Sequence, residues 1–431
     1  MDTQYTKLNI TKGGTLKEAP FFLWIIIFIY IYSLFAFSRV KALFSFSIEG
    51  MSTTNEIWLL PLLCLLIFLN KRFNFYDRIY KYNIKFLILI FMYIFIIAIG
   101  GFHTNSLEQF FYAGLLFIVP MLIFFPISRC KSEHIAFLIK FFIVICLIYA
   151  ILTILVSTNF TFFMNLVGNE GDIYQNNTQV RAPMMLGSSI AVSYYFNLTL
   201  PLCFYMYMTS FEKKWRIISG TAIMVIIVAT FMLLSRAASI CMIFIIFYYV
   251  FFISTNRKKL GRKLLAILLI IVAVVYAYLT FDLTRILEEL NFSGNSAKMR
   301  IESSNLGIYI FTQFPIFGSG IGRFFERKYE NSYITVDGIG GLIDPHNMYV
   351  LILSELGIVG LIITLILFFN LFRRFSYIKD KILRKTAFII LLAFLFDALG
   401  GSHLFINISF ATIFWMYMGL FNAVYIKGRQ V

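Results

Sequence analysis

Hydrophobic runs long enough to cross a membrane recur along the whole chain, separated by polar or basic stretches. A helix of about 20 apolar residues spans the roughly 30 Å hydrocarbon core of a bilayer. The pattern therefore predicts an all-α polytopic membrane protein, with a single integral membrane domain over residues 1–431. About twelve transmembrane helices are predicted, at residues 20–38, 55–70, 84–101, 108–127, 135–157, 184–208, 217–235, 237–254, 264–280, 347–371, 386–400 and 404–426.

One apolar window, residues 217–254, is too long for a single span. As one helix it would measure about 57 Å, nearly twice the thickness of the hydrocarbon core. Its flanks, EKKWR and NRKK, are both basic and belong on the same side of the membrane. The window is therefore predicted to be a hairpin that turns at Ser235 and Arg236, which places Arg236 at the outer surface. The alternative is that Arg236 only snorkels from a span end.

The composition places the chain outside the range of soluble proteins. Of its 431 residues 60% are hydrophobic and only 13% are charged. The net charge of +16 is concentrated in alternate loops, among them KRFNFYDRIYKYNIK, NRKKLGRK and RRFSYIKDKILRK. Because Lys and Arg collect in cytoplasmic loops, both termini are predicted to be cytoplasmic. The positive charge therefore predicts no nucleic-acid partner.

Two predicted outer loops are long, residues 158–183 and residues 281–345. The second holds six basic and eight acidic residues, so it does not have the character of a cytoplasmic segment. Its apolar-patterned stretch, residues 298–314, predicts short helices at or dipping into the outer interface. The first apolar run is long enough to stay in the bilayer, so no cleaved signal peptide is predicted.

The cysteines and histidines predict neither disulfides nor a metal site. The five cysteines fall in predicted spans or in one cytoplasmic loop, so no disulfide framework is expected outside the membrane. The sequence contains no Cys/His cluster with metal-ligand spacing, and no metal or cofactor is predicted.

The stretch DPHN, residues 344–347, stands at the outer end of the tenth span. Asp344 is predicted to cap the helix, with Pro345 at its first position and His346 and Asn347 in its first turn. A helix start attracts anions and disfavours imidazolium, so His346 is expected to be neutral and able to accept a proton. A capping or packing histidine is the alternative. His103 and His403 also face outward, but neither lies at such a helix start.

Four arginines are predicted to reach the same outer face. Arginine is always charged and binds phosphate oxygens in a bidentate manner. At a bilayer surface the natural ligand with two phosphates is a lipid-linked diphosphate. The four candidates are Arg181, Arg236, Arg300 and Arg323.

Three other charged residues fall inside predicted spans. Glu355 follows His346 by nine positions, which places it on the opposite helical face and about 13 Å deeper. A buried contact between helices explains it better than a catalytic role. Lys140 and Asp397 qualify as functional candidates by default, although simple pairing inside the protein is the alternative.

Three motifs in order resemble a known family. They are LLSRAAS (residues 233–239), MRIESSNLGIYIFTQFPIFGSGIGRF (299–324) and HNMYVLILSELGIVGLI (346–362). Together, over a motif region of residues 233–362, they are similar to the O-antigen ligase/polymerase superfamily. The resemblance implies a GT-C-like fold in the bacterial inner membrane with its active site on the periplasmic face. It also implies an undecaprenyl-diphosphate-linked glycan donor, inversion at the transferred sugar and no metal.

Carried over by the resemblance, Arg236 and Arg300 hold the donor diphosphate and His346 deprotonates the acceptor hydroxyl. Arg181 resembles a further family arginine and ranks below the other three, and Arg323 is a further donor-binding candidate. The supporting residues are expected to be Asp344, Asn347 and Glu355.

The motifs leave the acceptor open. A polymerase would join one glycan to another, a ligase would join the glycan to lipid A-core, and other family members attach glycans to proteins. We favour a polymerase, for which a chain-length regulator is a conceivable partner. A flippase for the same lipid-linked glycan and a structural scaffold are the rival classes, and both account less well for the outer arginines.

Overall fold

The computed structural model describes residues 21–35, 78–101, 114, 117–158, 189–233, 235–253, 295–324, 345–402, 404 and 407–430. The regular elements in these ranges are helices, and no strand occurs in them. In chain order they are α1 (Phe21–Phe35), α2 (Arg78–Gly101), α3 (Phe124–Ser128), α4 (Ser132–Ser157), α5 (Ser189–Thr209), α6 (Lys213–Met232), α7 (Arg236–Tyr248, extended by a π-helical turn Tyr249–Ile253), α8 (Asn295–Gln313), α9 (Met348–Ser376), α10 (Lys381–Asp397) and α11 (Ile408–Gln430).

The predicted all-helical class is confirmed for the described residues. Five of the helices there are long and apolar enough to cross a membrane: Asn83–Gly100, Ser132–Ser157, Lys213–Met232, Met348–Ser376 and Ile408–Arg429. Long apolar runs adopt helices because a bilayer offers no partner for an exposed backbone N–H or carbonyl. The spans predicted at residues 55–70 and 264–280 lie outside the described residues, so the number twelve stays a prediction.

The hairpin predicted within residues 217–254 breaks at the expected place. Helix α6 ends at Met232, and α7 begins at Arg236 after Ser235 in an extended conformation. Both helices pack against α5. The start of α7 therefore lies at the end of the bundle that also holds the start of α9. We refer to this end as the His346 end.

Hydroxyl groups connect three helices inside the apolar core. The Tyr30 hydroxyl lies 2.9 Å from that of Tyr195 and 3.0 Å from that of Tyr417. Thr199 lies 2.8 Å from the same Tyr417 hydroxyl. Because these groups are fully buried, each must find a partner inside the protein. Helices α1, α5 and α11 are thereby held in register.

A second polar cluster lies at the opposite end of the bundle. The buried Arg374 guanidinium donates to the side-chain oxygens of Asn83 (2.7 Å) and Asn422 (2.8 Å). The Asn422 amide also donates to Ser128 at 2.9 Å. This cluster joins α2, α9 and α11 to the residues at the end of α3, far from His346.

Helix α9 is interrupted at Gly357. This glycine has φ +65° and ψ −168°, a combination that is essentially restricted to glycine. The interruption lies about 14 Å along the helix from its first residue, Met348. Carbonyl and N–H groups on both sides of Gly357 consequently lose their helical partners and need others.

A turn rich in glycine supplies those partners. Residues 315–320, which we call the glycine turn, follow α8 after one intervening residue, Phe314. The N–H groups of Ser319 and Gly320 donate to the carbonyls of Ser354 (2.9 Å) and Glu355 (3.0 Å). In return the carbonyls of Pro315 and Ile316 accept from the N–H groups of Ile358 (3.0 Å) and Val359 (3.2 Å). The glycine turn and the broken helix therefore provide hydrogen-bond partners for each other's backbone groups.

The chain enters and leaves the glycine turn beside the first part of α9. Leu306, Ile310 and Phe324 form a small buried cluster with Leu351. Gly320 also meets the end of α2, where its added Cβ would lie 3.0 Å from the Gly100 carbonyl oxygen. The large outer loop thus contains a 19-residue helix, α8, rather than only the short helices predicted.

We predict that Gly357→Ala destabilises the protein by at least about 2 kcal/mol, because alanine is strained at this backbone conformation. A Cβ there would also overlap the Ile316 carbonyl. Thermal unfolding in detergent measures the effect. Gly220→Ala is the matched control, since its Cβ would make only ordinary contact, 3.4 Å, with the Tyr207 ring. Equal melting temperatures for the two variants would contradict the importance of the pairing between the glycine turn and α9.

Candidate functional site

His346 lies immediately before α9 in an unusual backbone conformation. Its φ of +49° makes it the one residue other than glycine with positive φ in the described part of the chain. Side chains disfavour this left-handed region, and residues held there tend to cluster at functional sites. The side chain is half-buried. The conformation directs the chain sharply from Pro345 into the helix.

The predicted cap of this helix is wrong. Asp344 was expected at the cap and His346 within the first turn, but α9 begins at Met348 and its cap is Asn347. The Asn347 side-chain oxygen accepts from the N–H groups of Tyr349 (3.0 Å) and Val350 (3.2 Å). Its extended backbone, φ −146° and ψ +116°, is typical of a helix cap. His346 therefore stands outside the first turn.

The start of α9 offers no open donor among its first three residues. Asn347 occupies the N–H groups of Tyr349 and Val350, and the N–H of Met348 donates to the Ala398 carbonyl at 3.0 Å. The helix start was predicted to be an anion site because such groups are usually free. Here the protein itself uses them. The N–H groups of Met348, Tyr349 and Val350 therefore do not form the anion site that was predicted at this helix start.

Arg300 is placed one helical turn from a direct contact with the segment that holds His346. Four residues after Arg300, the Ser304 hydroxyl donates to the Pro345 carbonyl at 3.2 Å. A further turn along, Gly307 packs so closely on Val350 that a Cβ would overlap it. Residues at i, i+4 and i+7 share a helical face, so the exposed Arg300 lies on the face that meets His346's segment.

Arg236 is the first residue of α7, and only its backbone is described. The next residue, Ala237, packs against the turn after α10, where its Cβ lies 3.6 Å from a Cβ built on Gly400. The same turn carries Ala398, the acceptor for Met348. The start of α7 and the start of α9 thus both contact the turn that follows α10.

Arg323 and Glu355 are buried beneath this surface. Arg323 is only 3% exposed and follows the glycine turn, so it is packed inside the protein rather than open to the outer side. A Glu355 oxygen accepts from the Phe324 N–H at 3.1 Å. Glu355 is buried, as expected, but its partner is the backbone of the segment that follows the glycine turn rather than another helix. It fixes the chain leaving the glycine turn against α9.

The other charges flagged inside the spans have partners. Lys140 lies 3.4 Å from Glu212 and over the Trp215 ring, near the end of the bundle opposite His346. Asp397 is fully buried and accepts from the Asn197 amide at 3.2 Å. The pairing alternative therefore holds for Lys140, whose partner is a carboxylate, whereas the partner of Asp397 is a neutral amide. Arg181, Asp344, His103 and His403 lie outside the described residues.

Two residues of this region were missed by the sequence interpretation. Ser304 and Asn197 each contact the backbone next to a candidate site residue, at Pro345 and Ala238 respectively. Asn197 carried a usable signal, because an amide within an apolar span needs a buried partner. Ser304 carried no such signal in the sequence, since serine is common on exposed helix faces.

One family matches part of the chain. Residues 221–365 match the family described as O-antigen ligase. The match contains α8, the glycine turn, His346 and the start of α7. No curated protein matches the chain in sequence. The resemblance to the O-antigen ligase/polymerase superfamily is thereby confirmed over these residues.

We predict that Asn347→Ala costs about 1 kcal/mol, because two N–H groups of α9 lose their acceptor. Hydrogen exchange of peptides covering residues 345–356 should become faster at Tyr349 and Val350. Asn347→Ser is the control, since serine also caps helices and should show a smaller change. Exchange in Asn347→Ala as slow as in the unmodified protein would refute the capping role.

Proposed function

We propose, from the premise that residues 221–365 form an O-antigen ligase domain, that the protein is a membrane glycosyltransferase. It would transfer a glycan from undecaprenyl diphosphate to a sugar hydroxyl on the periplasmic face. The observation that carries the proposal is the meeting of three segments at the His346 end. These are the start of α7 with Arg236, α8 with Arg300, and the turn into α9 with His346.

The chemistry requires a base and a stabilised leaving group. His346 takes the proton of the acceptor hydroxyl as its oxygen bonds to the anomeric carbon of the donor sugar. The bond from that carbon to the diphosphate oxygen breaks on the opposite face, so the configuration inverts. Arg236 and Arg300 neutralise the charge that develops on the departing lipid diphosphate, as preorganised cations do at transition states. Arg181 ranks below them, and Arg323 ranks last because it is buried.

The charge distribution supports a periplasmic site. Basic residues crowd the end of the bundle opposite His346, where Lys427 also contacts Ser132 and Lys385 contacts the Phe252 carbonyl. Lys and Arg are retained on the cytoplasmic side of membrane proteins. The His346 end would then face the periplasm and both termini the cytoplasm. The basic residues at the opposite end include Arg78, Lys81, Lys131, Lys213, Lys214, Arg216, Arg373, Arg374, Lys379, Lys381, Arg384, Lys385, Lys427 and Arg429.

Flipping of the same lipid-linked glycan is the second candidate, and one observation favours it. Transporters often contain interrupted helices near the middle of the membrane, as α9 is interrupted at Gly357. In a transporter the freed backbone groups face the substrate. Here the backbone groups of the glycine turn occupy them, so they are not available to a transported substrate. This favours the enzyme over the transporter. Scrambling of a labelled lipid-linked glycan in vesicles without acceptor would favour transport.

A reconstitution distinguishes polymerase from ligase. Purified protein is supplied with lipid-linked repeat units alone, and the products are separated by length. A ladder of extended glycans supports our preferred function, polymerase. Product that forms only after lipid A-core is added identifies a ligase. Absence of transfer to either acceptor, and to a protein acceptor, would overturn the proposed function.

We predict that His346→Asn lowers transfer about 10²- to 10⁴-fold, the usual cost of removing a general base. Asparagine tolerates the left-handed backbone at this position, so the variant should fold normally. His346→Gly serves as a second variant that fits the backbone. Glycan length and transfer rate are measured together with the melting temperature. Normal chain extension by a folded His346→Asn protein would show that His346 is not the general base.

We predict that Arg300→Lys raises the donor KM about tenfold, equivalent to one charge-assisted hydrogen bond of about 1.5 kcal/mol. Lysine keeps the charge but not the planar fork that grips two oxygens. Asn305→Ala is the control, because Asn305 is exposed on the same helix. An unchanged donor KM in Arg300→Lys would place the diphosphate elsewhere.

A further inference from the structure

The end of α10 and the turn that follows it hold the start of α9. The N–H of Met348 donates to the Ala398 carbonyl at 3.0 Å, and the Tyr349 hydroxyl donates to the Leu395 carbonyl at 3.0 Å. Within the turn the Gly400 N–H donates to the Asp397 carbonyl at 3.0 Å. Any shift of residues 397–400 is therefore passed directly to the residues that follow His346.

Asn197 connects this turn to the helix that begins with Arg236. Its amide, fully buried on α5, donates to the Ala238 carbonyl at 3.0 Å. The same amide nitrogen lies 3.2 Å and 3.4 Å from the two oxygens of Asp397. Ala238 is two residues after Arg236, and Asp397 precedes Ala398. One buried amide thus bridges the segments of two proposed functional residues.

Packing around the bridge leaves little room for adjustment. A Cβ on Gly400 would lie 2.8 Å from the Tyr194 hydroxyl, which is on α5, and 3.6 Å from Ala237 Cβ on α7. Further along α7, the Cys241 sulfur lies 3.8 Å from the Ala393 carbonyl oxygen. Helices α5, α7 and α10 therefore meet closely around Asn197. A change in that amide has to be absorbed by these contacts.

We infer that Asn197 is a positioning residue, which sets the spacing between the starts of α7 and α9 through Ala238 and Asp397. The inference rests on the proposed function, since it concerns the distance between a donor-binding arginine and the base. A displacement of about 1 Å between reacting groups can reduce turnover about a hundredfold. A purely structural role would lower stability without this selective loss.

The first test compares two buried amides at opposite ends of the bundle. Asn197→Ala should lower kcat at least about tenfold, measured well below its melting temperature. Asn422→Ala is the matched control, because Asn422 is equally buried but belongs to the Arg374 cluster. It should lower the melting temperature while kcat stays within about twofold. Equal kcat values for the two folded variants would overturn the inference.

The second test measures geometry without measuring activity. Ala237→Cys and Gly400→Cys are combined in a Tyr194→Phe background. The Cβ separation of 3.6 Å suits a disulfide, and removing the Tyr194 hydroxyl, which would lie 2.8 Å from a Cβ on Gly400, makes room for the new side chain. The crosslink is quantified by mass spectrometry of the linked peptides after mild oxidation. It should form readily with Asn197 present and at least about threefold less readily in Asn197→Ala, because the bridge that fixes this separation is lost. An equal yield in both backgrounds would refute the positioning role.

The two tests separate the inference from the proposed function. If the unmodified protein shows no transfer to any acceptor, the proposed function fails, and the crosslink alone decides whether Asn197 fixes the two segments. Should Asn197→Ala not accumulate, Asn197→Ser replaces it with the same readouts. Serine can make one of the two hydrogen bonds but cannot bridge both acceptors.

Discussion

The backbone pairing between the glycine turn and the broken helix α9 is the constraint on which the His346 end of the protein depends. A helix interrupted within an apolar bundle exposes carbonyl and N–H groups that lipid cannot satisfy. The chain solves this by bringing residues 315–320 alongside residues 354–359. The pairing fixes the end of α8 against α9, and it thereby fixes where Arg300 stands relative to His346. Glycine is required because the two backbones approach without room for a Cβ.

Satisfaction of polar groups also explains the rest of the site. Asn347 and Ala398 use the first N–H groups of α9, Glu355 takes the N–H of Phe324, and Asn197 joins two segments. A hydrogen bond of this kind contributes little free energy in water but is stronger where the surroundings are apolar. The result is a rigid frame under an exposed face. Such a frame suits a catalyst that must hold charged groups at fixed distances.

The helices could be predicted from sequence because long apolar runs have one stable conformation in lipid. The break at Ser235 followed from the length of the apolar window and from the basic residues at both of its ends. The residue that caps α9 could not be predicted from the sequence. Asp344 and Asn347 are both good caps, and the choice depends on a bond between Met348 and Ala398 that local sequence does not encode. The pairing of the glycine turn with α9 was equally hidden, since it joins residues about 40 positions apart. Asn197 was visible as a polar residue, but its two partners were not.

The order of the paired segments along the chain has a consequence for biosynthesis. The glycine turn leaves the ribosome before its partner in α9 has been made. During that interval its carbonyl and N–H groups have to remain in contact with water, because lipid would leave them without partners. Residues 295–324 are therefore expected to wait at the membrane surface and to enter the bundle only once α9 has been inserted. Completion of the His346 end is then a late event in assembly, after translation has passed residue 359.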